Sequence, residues 1–272
     1  CLNIEPAKKI IREVFLSKII YAKGLSKVSN YVDSPIIPTP SAVMKAAELL
    51  AKGSDNEAGY GEVMIVDIGG ATTDVDSAAT GEPTKAGVTL RGLEEPFIKR
   101  TVEGDLGMRY SALALLEEIG IKNMLKNYLP CGMDEKTLQE YVKKISIDTD
   151  YVPCNEMDKQ IDCGIAKAAT DLAVKRHVGR IETVYSPFGA AYVQHGKDLT
   201  KLDFMIATGG VLIYSENPKE ILKHGLYDSS RPEVLAPENP KMLLDEKYLL
   251  SSLGLLSEIA PDKALNLAKK YL

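Results

Sequence analysis

The run VMIVDIGGATTD, residues 63–74, sets the tightest limit on how this chain folds. An apolar stretch reaches a carboxylate at Asp67. Ile68, two glycines, Ala71 and two threonines then lead to a second carboxylate at Asp74. An apolar run of this length, preceded by the polar loop GSDNEAGYG, reads as a strand buried on both faces or nearly so. A carboxylate at the end of such a strand is costly unless something pairs with it. A magnesium ion or its bound water meets that need, because magnesium is held by one or two carboxylates together with phosphate oxygens and waters. Gly69 and Gly70 tolerate positive φ and, having no Cβ, let backbone N–H groups approach a phosphate closely. Thr72 and Thr73 add hydroxyls, and Asp74 faces the same space from the far side of the turn. These residue types suit a clamp for magnesium and polyphosphate. They also make an ordinary glycine-rich hairpin, since Asx and Thr are common turn formers. Neither GxxxxGK[ST] nor GxGxxG is present.

A second junction of the same kind lies at residues 205–211, MIATGGV, where a strand runs into Gly209 and Gly210 and then a short apolar helical stretch. A glycine pair between strand and helix lets a flat group such as an adenosine lie against the backbone, or it makes a simple tight turn. Between the two junctions, apolar and small residues recur at helical spacing over about 156–178.

The rest of the chain alternates helices and strands, which indicates an α/β fold. An amphipathic helix is expected over 5–23, ended by Gly24. A proline-broken loop and a second helix follow, with Ser41 as its N-cap. Strands are expected at 62–68 and about 72–79 as a hairpin, at 181–187 and at 203–210, with one further strand and a polar loop around 87–100. Residues 105–143 read as mostly helical with a break near 127–134. A proline-rich surface segment at 229–243 precedes a C-terminal helix pair.

The 272 residues carry a net charge of −5, which argues against nucleic acid as the main partner. No apolar run approaches the roughly 20 residues that span a bilayer. The four cysteines form no CxxC pair and the three histidines share no metal-ligand spacing, so reduced thiols, satisfied histidines and a cytoplasmic location are expected. Lys167, Lys175 and Arg176 are expected on a solvated helix face. The chain opens on Cys1 without the order of a signal peptide and enters helical sequence at once, as a piece of a longer polypeptide would.

DIGGATTD is similar, position for position, to the second phosphate motif D-x-G-G-G-T-x-D of the superfamily of actin, sugar kinases and heat-shock chaperone ATPases, with Ala71 in place of the third glycine. Residues 206–211 resemble that superfamily's adenosine motif. More specifically, DIGGATTDVDS, RTVEGDLGMR, PIIPTPSAV and ATGGVLIYS resemble the glutamate-mutase-associated MutL family, unrelated to the mismatch-repair protein of the same name, over essentially the whole chain.

The resemblance implies an α/β, RNase-H-like half of an actin-like ATPase, a mixed sheet flanked by helices with helical additions. Residues 1–60 would be a helical segment linking to a missing N-terminal half. Residues 61–272 would be the nucleotide-binding domain, with a helical insertion at about 105–150. It also implies Mg-ATP as cofactor and an adenosylcobalamin-dependent mutase, of the glutamate mutase type or an aminomutase, as partner. The chain would belong to an ATP-hydrolysing reactivation factor; a non-hydrolysing scaffold and a small-molecule kinase are the alternatives. Asp67 would hold magnesium or orient water, and Asp74 would be a second metal-water or base residue. Gly69, Gly70, Ala71, Thr72 and Thr73 would surround the phosphates, and Gly209, Gly210 and Val211 the adenosine. The segment from Arg100 to Arg109 has no counterpart in the superfamily pattern. It reads either as a partner-specific or nucleotide-sensing loop, or as a solvated loop with Asp105 starting a helix.

Overall fold

The computed structural model describes residues 37–187 and 189–272, together with positions 6, 7, 10, 11, 14 and 18. Apart from those six positions, the helix expected over 5–23 lies outside the described residues. Helix α1 (Thr39–Lys52) is capped by Pro38 and carries a proline in its first turn, where a missing N–H costs nothing. The helix therefore starts before Ser41, the expected cap, which lies inside it. Ala42, Val43, Ala46, Ala47 and Leu50 form its buried stripe.

Strands β1 (Val63–Ile68) and β2 (Thr73–Ala78) form the expected antiparallel hairpin. After a short strand β3 (Val88–Leu90), β4 (Ile98–Glu103) pairs antiparallel with β2. Helices α2 (Ala112–Ile119), α3 (Ile121–Asn127) and α4 (Glu135–Ile147) pack on the long α5 (Glu156–His177). Then come β5 (Arg180–Ser186), β6 (Gly189–His195), β7 (Phe204–Thr208), the short α6 (Gly210–Ile213) and α7 (Pro218–Leu222). The chain finishes with β8 (Lys241–Leu244), α8 (Leu250–Ser257) and α9 (Pro261–Tyr271).

The main sheet has the order β4-β2-β1-β7-β8, antiparallel through β4, β2 and β1 and parallel through β1, β7 and β8. This mixed sheet flanked by helices is compatible with the RNase-H-like half that the motifs imply. β1 alternates between two cores. Met64, Val66 and Ile68 join the cluster built on α5, and Val63 and Ile65 join the one built on α1, α8 and α9. That double burial is the physical reason for its unbroken apolar sequence. The buried stripe of α1 shares this second core: α1 packs on β1, β2 and α8.

Small residues let α5 approach the elements packed on it. Ala166, Ala168, Ala169 and Ala173 are fully buried, and a Cβ on Gly164 would meet the Leu129 side chain at 2.4 Å. At the end of α5, His177 is fully buried between the Ser77 hydroxyl (Nε2, 2.7 Å) and the Thr101 hydroxyl (Nδ1, 2.9 Å). It is the satisfied core histidine that its isolation in sequence suggests.

Two strands were not legible in the sequence. β6, GAAYVQH, has no two-residue alternation and is mostly exposed; it is recruited by β5 and β3 into a three-stranded sheet. β8 lies in the segment expected to be surface, and extends the parallel part of the main sheet beside β7. Leu235 and Ala236 of the same segment are buried. Among the described residues no helix is long and apolar enough to cross a membrane.

Candidate functional site

β1 and β7 run parallel side by side, with Asp67 in register with Thr208, and each ends in a glycine pair. This is where the sheet changes direction: β1 has its hairpin partner on one side and the parallel strands on the other. Ligands of open α/β sheets bind at such points, beyond the carboxyl ends of the strands. Gly209 has φ of 102°, and a Cβ there would lie 2.4 Å from the Ile68 carbonyl oxygen, so only glycine fits. Gly69 and Gly70 differ from expectation, because neither takes positive φ. Gly69 is favoured instead by closeness: its N–H donates to the Thr72 carbonyl at 2.9 Å, and a Cβ would sit 3.0 Å from that same oxygen, tight enough that the turn would have to give slightly.

A cavity of ≈ 610 Å³ opens on the α5 side of these junctions. Gly69, Gly70, Gly210 and Val211 line it, so the structure brings the two glycine junctions into one space. Arg109, residues 149–153, the first turns of α5 and residues 214–217 complete its wall. Ala71 is exposed, and its methyl replaces the third glycine of the motif without crowding the turn. Thr73 is taken out of the site. It is fully buried, and its hydroxyl donates to the Leu106 carbonyl at 2.7 Å, so it is not free to meet a phosphate.

The carboxylates gather on the other face of the sheet. Asp67 alternates with Val63 and Ile65 and is directly opposite Asp74. Asp76 follows on the same face of β2, with Arg100 opposite it on β4. Arg100 donates to Asp74 at 2.8 Å and stands 3.9 Å from Asp76. From the other side comes Asp245, whose backbone N–H continues the β8 pairing by bonding the Ala207 carbonyl at 2.9 Å. Its carboxylate accepts the N–H groups of Leu249 and Leu250 at 2.7 and 3.2 Å. Burial, then the charges of Asp74 and Asp245, push Asp67 up to about 6 against the opposing pull of Arg100. Burial likewise pushes Asp76 up to about 7, with Arg100 again opposing.

These residues fit a hydrated divalent cation. Asp74 Oδ1 and Asp76 Oδ1 are buried oxygens without a hydrogen-bond partner, and the local charge is negative. Among the described residues no three side chains are close enough to cage a metal. One or two carboxylates with waters is magnesium's usual arrangement.

The segment RTVEGDLGMR is neither a free loop nor a helix start. Arg100 to Glu103 lie in β4, and the following residues grip the glycine turn. The N–H groups of Met108, Arg109 and Tyr110 bond the carbonyls of Gly69 and Gly70 at 2.8–3.0 Å. Ser111 Oγ bonds the Ala71 carbonyl at 2.8 Å and the Gly104 carbonyl at 2.7 Å. Gly107 lies so close to Ala71 that a Cβ would fall 2.3 Å from its carbonyl carbon. Asp105 does not begin a helix: it pairs with Arg176 at 2.8 Å, an arginine expected to be merely solvated, which also holds Glu103 and Glu118.

A family model described as MutL protein matches residues 1–272. The chain belongs to the MutL family. It is 50% identical over 271 residues to Protein MutL of Clostridium tetanomorphum, a match covering 100% of this chain and 58% of that protein. The chain thus spans 58% of the length of the curated relative it matches. The family is the one its glycine-junction motifs resemble.

Several residues of this MutL-family site escaped the sequence reading. Asp76 had a signal, since Asp74 and Asp76 alternate along a strand and share a face. Asp245, Tyr248 and the wall at 149–153 had none, because they arrive from distant segments. Tyr248, with φ of 52°, is the sole non-glycine residue with positive φ among the described residues. Its hydroxyl lies 3.5 Å from where a Cβ of Gly210 would be.

Proposed function

We propose that this chain is the nucleotide-binding portion of an ATP-driven factor that acts on an adenosylcobalamin-dependent mutase. One observation carries the nucleotide reading: two glycine junctions, distant in sequence, meet at the carboxyl ends of parallel β1 and β7 around one cavity, with a carboxylate cluster beside them. The mutase as partner is supported by the resemblance of the motifs to the glutamate-mutase-associated family.

When bound, Mg-ATP supplies the phosphoryl group and neutralises the charge it carries. The backbone around Gly69 and Gly70 receives the phosphates, while the flat junction at Gly209 to Val211 receives the nucleoside. Asp67 and Asp74 hold the waters of the cation. The chemistry needs no covalent nucleophile. It needs fixed geometry, which the segment from Gly104 to Ser111 gives to the turn.

A non-hydrolysing scaffold is the second reading. It is favoured by the position of Asp67 and Asp74, which do not line the cavity. Calorimetry of Mg-ATP with this chain and with the complete protein tests the nucleotide reading. Binding by either supports it, and binding by neither overturns it. Phosphate release by the complete protein then separates the two readings. Turnover lost in Asp67→Asn supports hydrolysis, and mutase binding indifferent to nucleotide supports the scaffold.

A further inference from the structure

Arg109 joins the glycine turn to the far wall of the cavity. Its backbone N–H is held by the Gly70 carbonyl at 2.8 Å, and its Cβ lies 3.8 Å from where a Cβ of Gly70 would be. Its guanidinium reaches away from the turn into a two-pronged pair with Asp162 of α5, at 2.7 and 3.2 Å, and bonds the Tyr151 carbonyl at 3.3 Å. Asp162 also accepts the Tyr141 hydroxyl at 2.9 Å. Tyr151 in turn carries Lys144 over its ring at 3.5 Å and bonds Asp158 through its hydroxyl. One arginine therefore connects the turn, the wall at 149–153, α4 and α5.

The charges around the cavity make this pairing consequential. Its wall has four carboxylates, Asp150, Glu156, Asp162 and Glu216, and two cations, Arg109 and Lys159. Lys159 is engaged by Glu216 at 3.0 Å. Arg109 is thus the cation rooted beside the glycine turn, and in this structure its charge is spent on Asp162. A guanidinium matches a phosphate as well as it matches a carboxylate, with the same fork of donors.

We propose that Arg109 is an anion-responsive positioning residue: a phosphate seated on the turn at Gly69 and Gly70 competes with Asp162 for its guanidinium, and this competition sets the position of the 149–153 wall. The inference rests on the nucleotide reading above and adds to it a route by which occupancy reaches the helices α2 to α4. Because the two anions compete, each weakens the arginine's hold on the other by the same factor.

The test uses the complete protein, with Mg-ATP, adenosine and inorganic tripolyphosphate as probes, read by calorimetry and by amide exchange over 148–160. In the wild type, Mg-ATP and tripolyphosphate speed exchange there and adenosine does not. Asp162→Asn, which keeps the shape and removes the competing charge, tightens Mg-ATP roughly tenfold, as expected for losing a charge-assisted contact. It leaves adenosine affinity unchanged. Arg109→Lys keeps the charge without the fork, so exchange over 148–160 is already fast before any ligand is added.

If Asp162→Asn weakens ATP and adenosine alike, the pair is only structural and the inference fails. Exchange that ignores every phosphate probe overturns it too. If tripolyphosphate moves the wall while ATP does not bind, the coupling stands and the nucleotide reading falls.

Discussion

Asp67 and Asp74 stand directly opposite one another across the β1–β2 ladder, two carboxylates on one face of a sheet. Like charges so placed repel, and Arg100 reaches Asp74 but not Asp67 within salt-bridge distance. Asp67 is the carboxylate left over: burial first, and then the charges of Asp74 and Asp245, raise it to about 6 against the weaker pull of Arg100. Each unit of such a shift corresponds to about 1.4 kcal/mol. Asp67→Asn is therefore expected to stabilise the ligand-free protein at pH 8, by on the order of 1–2 kcal/mol once relaxation is allowed for. On the proposed function, the same substitution is expected to abolish ATP hydrolysis by the complete protein. Thermal melts beside phosphate-release assays check both halves, and a variant that is less stable yet fully active would contradict the assignment.

The glycines of the two junctions should respond unequally. Gly209→Ala places a methyl 2.4 Å from a backbone oxygen in a left-handed conformation, and backbone cannot move aside. We expect a loss of about 3 kcal/mol or more, or no folded protein. At Gly70 the nearest side-chain atom to an added Cβ is 3.8 Å away and φ is ordinary. Gly70→Ala should fold with stability within about 1 kcal/mol of wild type. Any fall in ATP affinity then measures the closeness of backbone to phosphate. Denaturant titration of both variants, with calorimetry on Gly70→Ala, makes the comparison.

The β1–β2 hairpin and its terminal carboxylate were legible because a strand buried on both faces leaves an unbroken apolar run, and a polar residue ending it is conspicuous. The long α5 was legible for the matching reason, its apolar and small residues recurring at helical period. β6 was not, because strand pairing with β5 and β3, rather than its own composition, makes GAAYVQH a strand. The site divides along the same line. Gly69, Gly70, Gly210 and Val211 meet as their local motifs suggest. Thr73 carries the right chemistry, but the two-residue alternation of β2 turns it into the core, toward Leu106. Asp245 and the Arg109–Asp162 pair depend on where distant segments arrive, which no local pattern encodes.

The brace under the glycine turn can be loosened in two grades. Ser111→Ala removes a hydroxyl that bonds the Ala71 and Gly104 carbonyls, and should cost about 1 kcal/mol. Gly107→Ala drives a methyl into the Ala71 carbonyl and should cost about 2–4 kcal/mol. Neither Ser111 nor Gly107 lines the cavity, and both act on its glycine-turn side, away from Gly210 and Val211, so affinity for Mg-ATP should fall while affinity for adenosine holds. Chemical denaturation gives the stabilities and paired calorimetry the affinities. Equal losses for both ligands would show that the brace supports the whole cavity and not the turn.

His177 offers a test by pH. Burial, and then the charges of Lys99 and Lys197, hold its imidazole well below the usual histidine range. Lys99 also donates to the His177 carbonyl at 2.7 Å. The folded protein therefore keeps His177 neutral, while the unfolded chain takes up a proton there once the pH falls below about 6.5. Because the unfolded state binds the extra proton, stability from this group is complete above about pH 6.5 and declines as the pH drops, by about 1.4 kcal/mol per unit. His177→Gln keeps partners for Ser77 and Thr101 but has no proton to gain. Between pH 6.5 and 5 the wild type should lose about 2 kcal/mol more stability than the variant. Denaturant midpoints across that range decide it: parallel curves would mean that His177 is protonated in the folded protein as readily as in the unfolded chain.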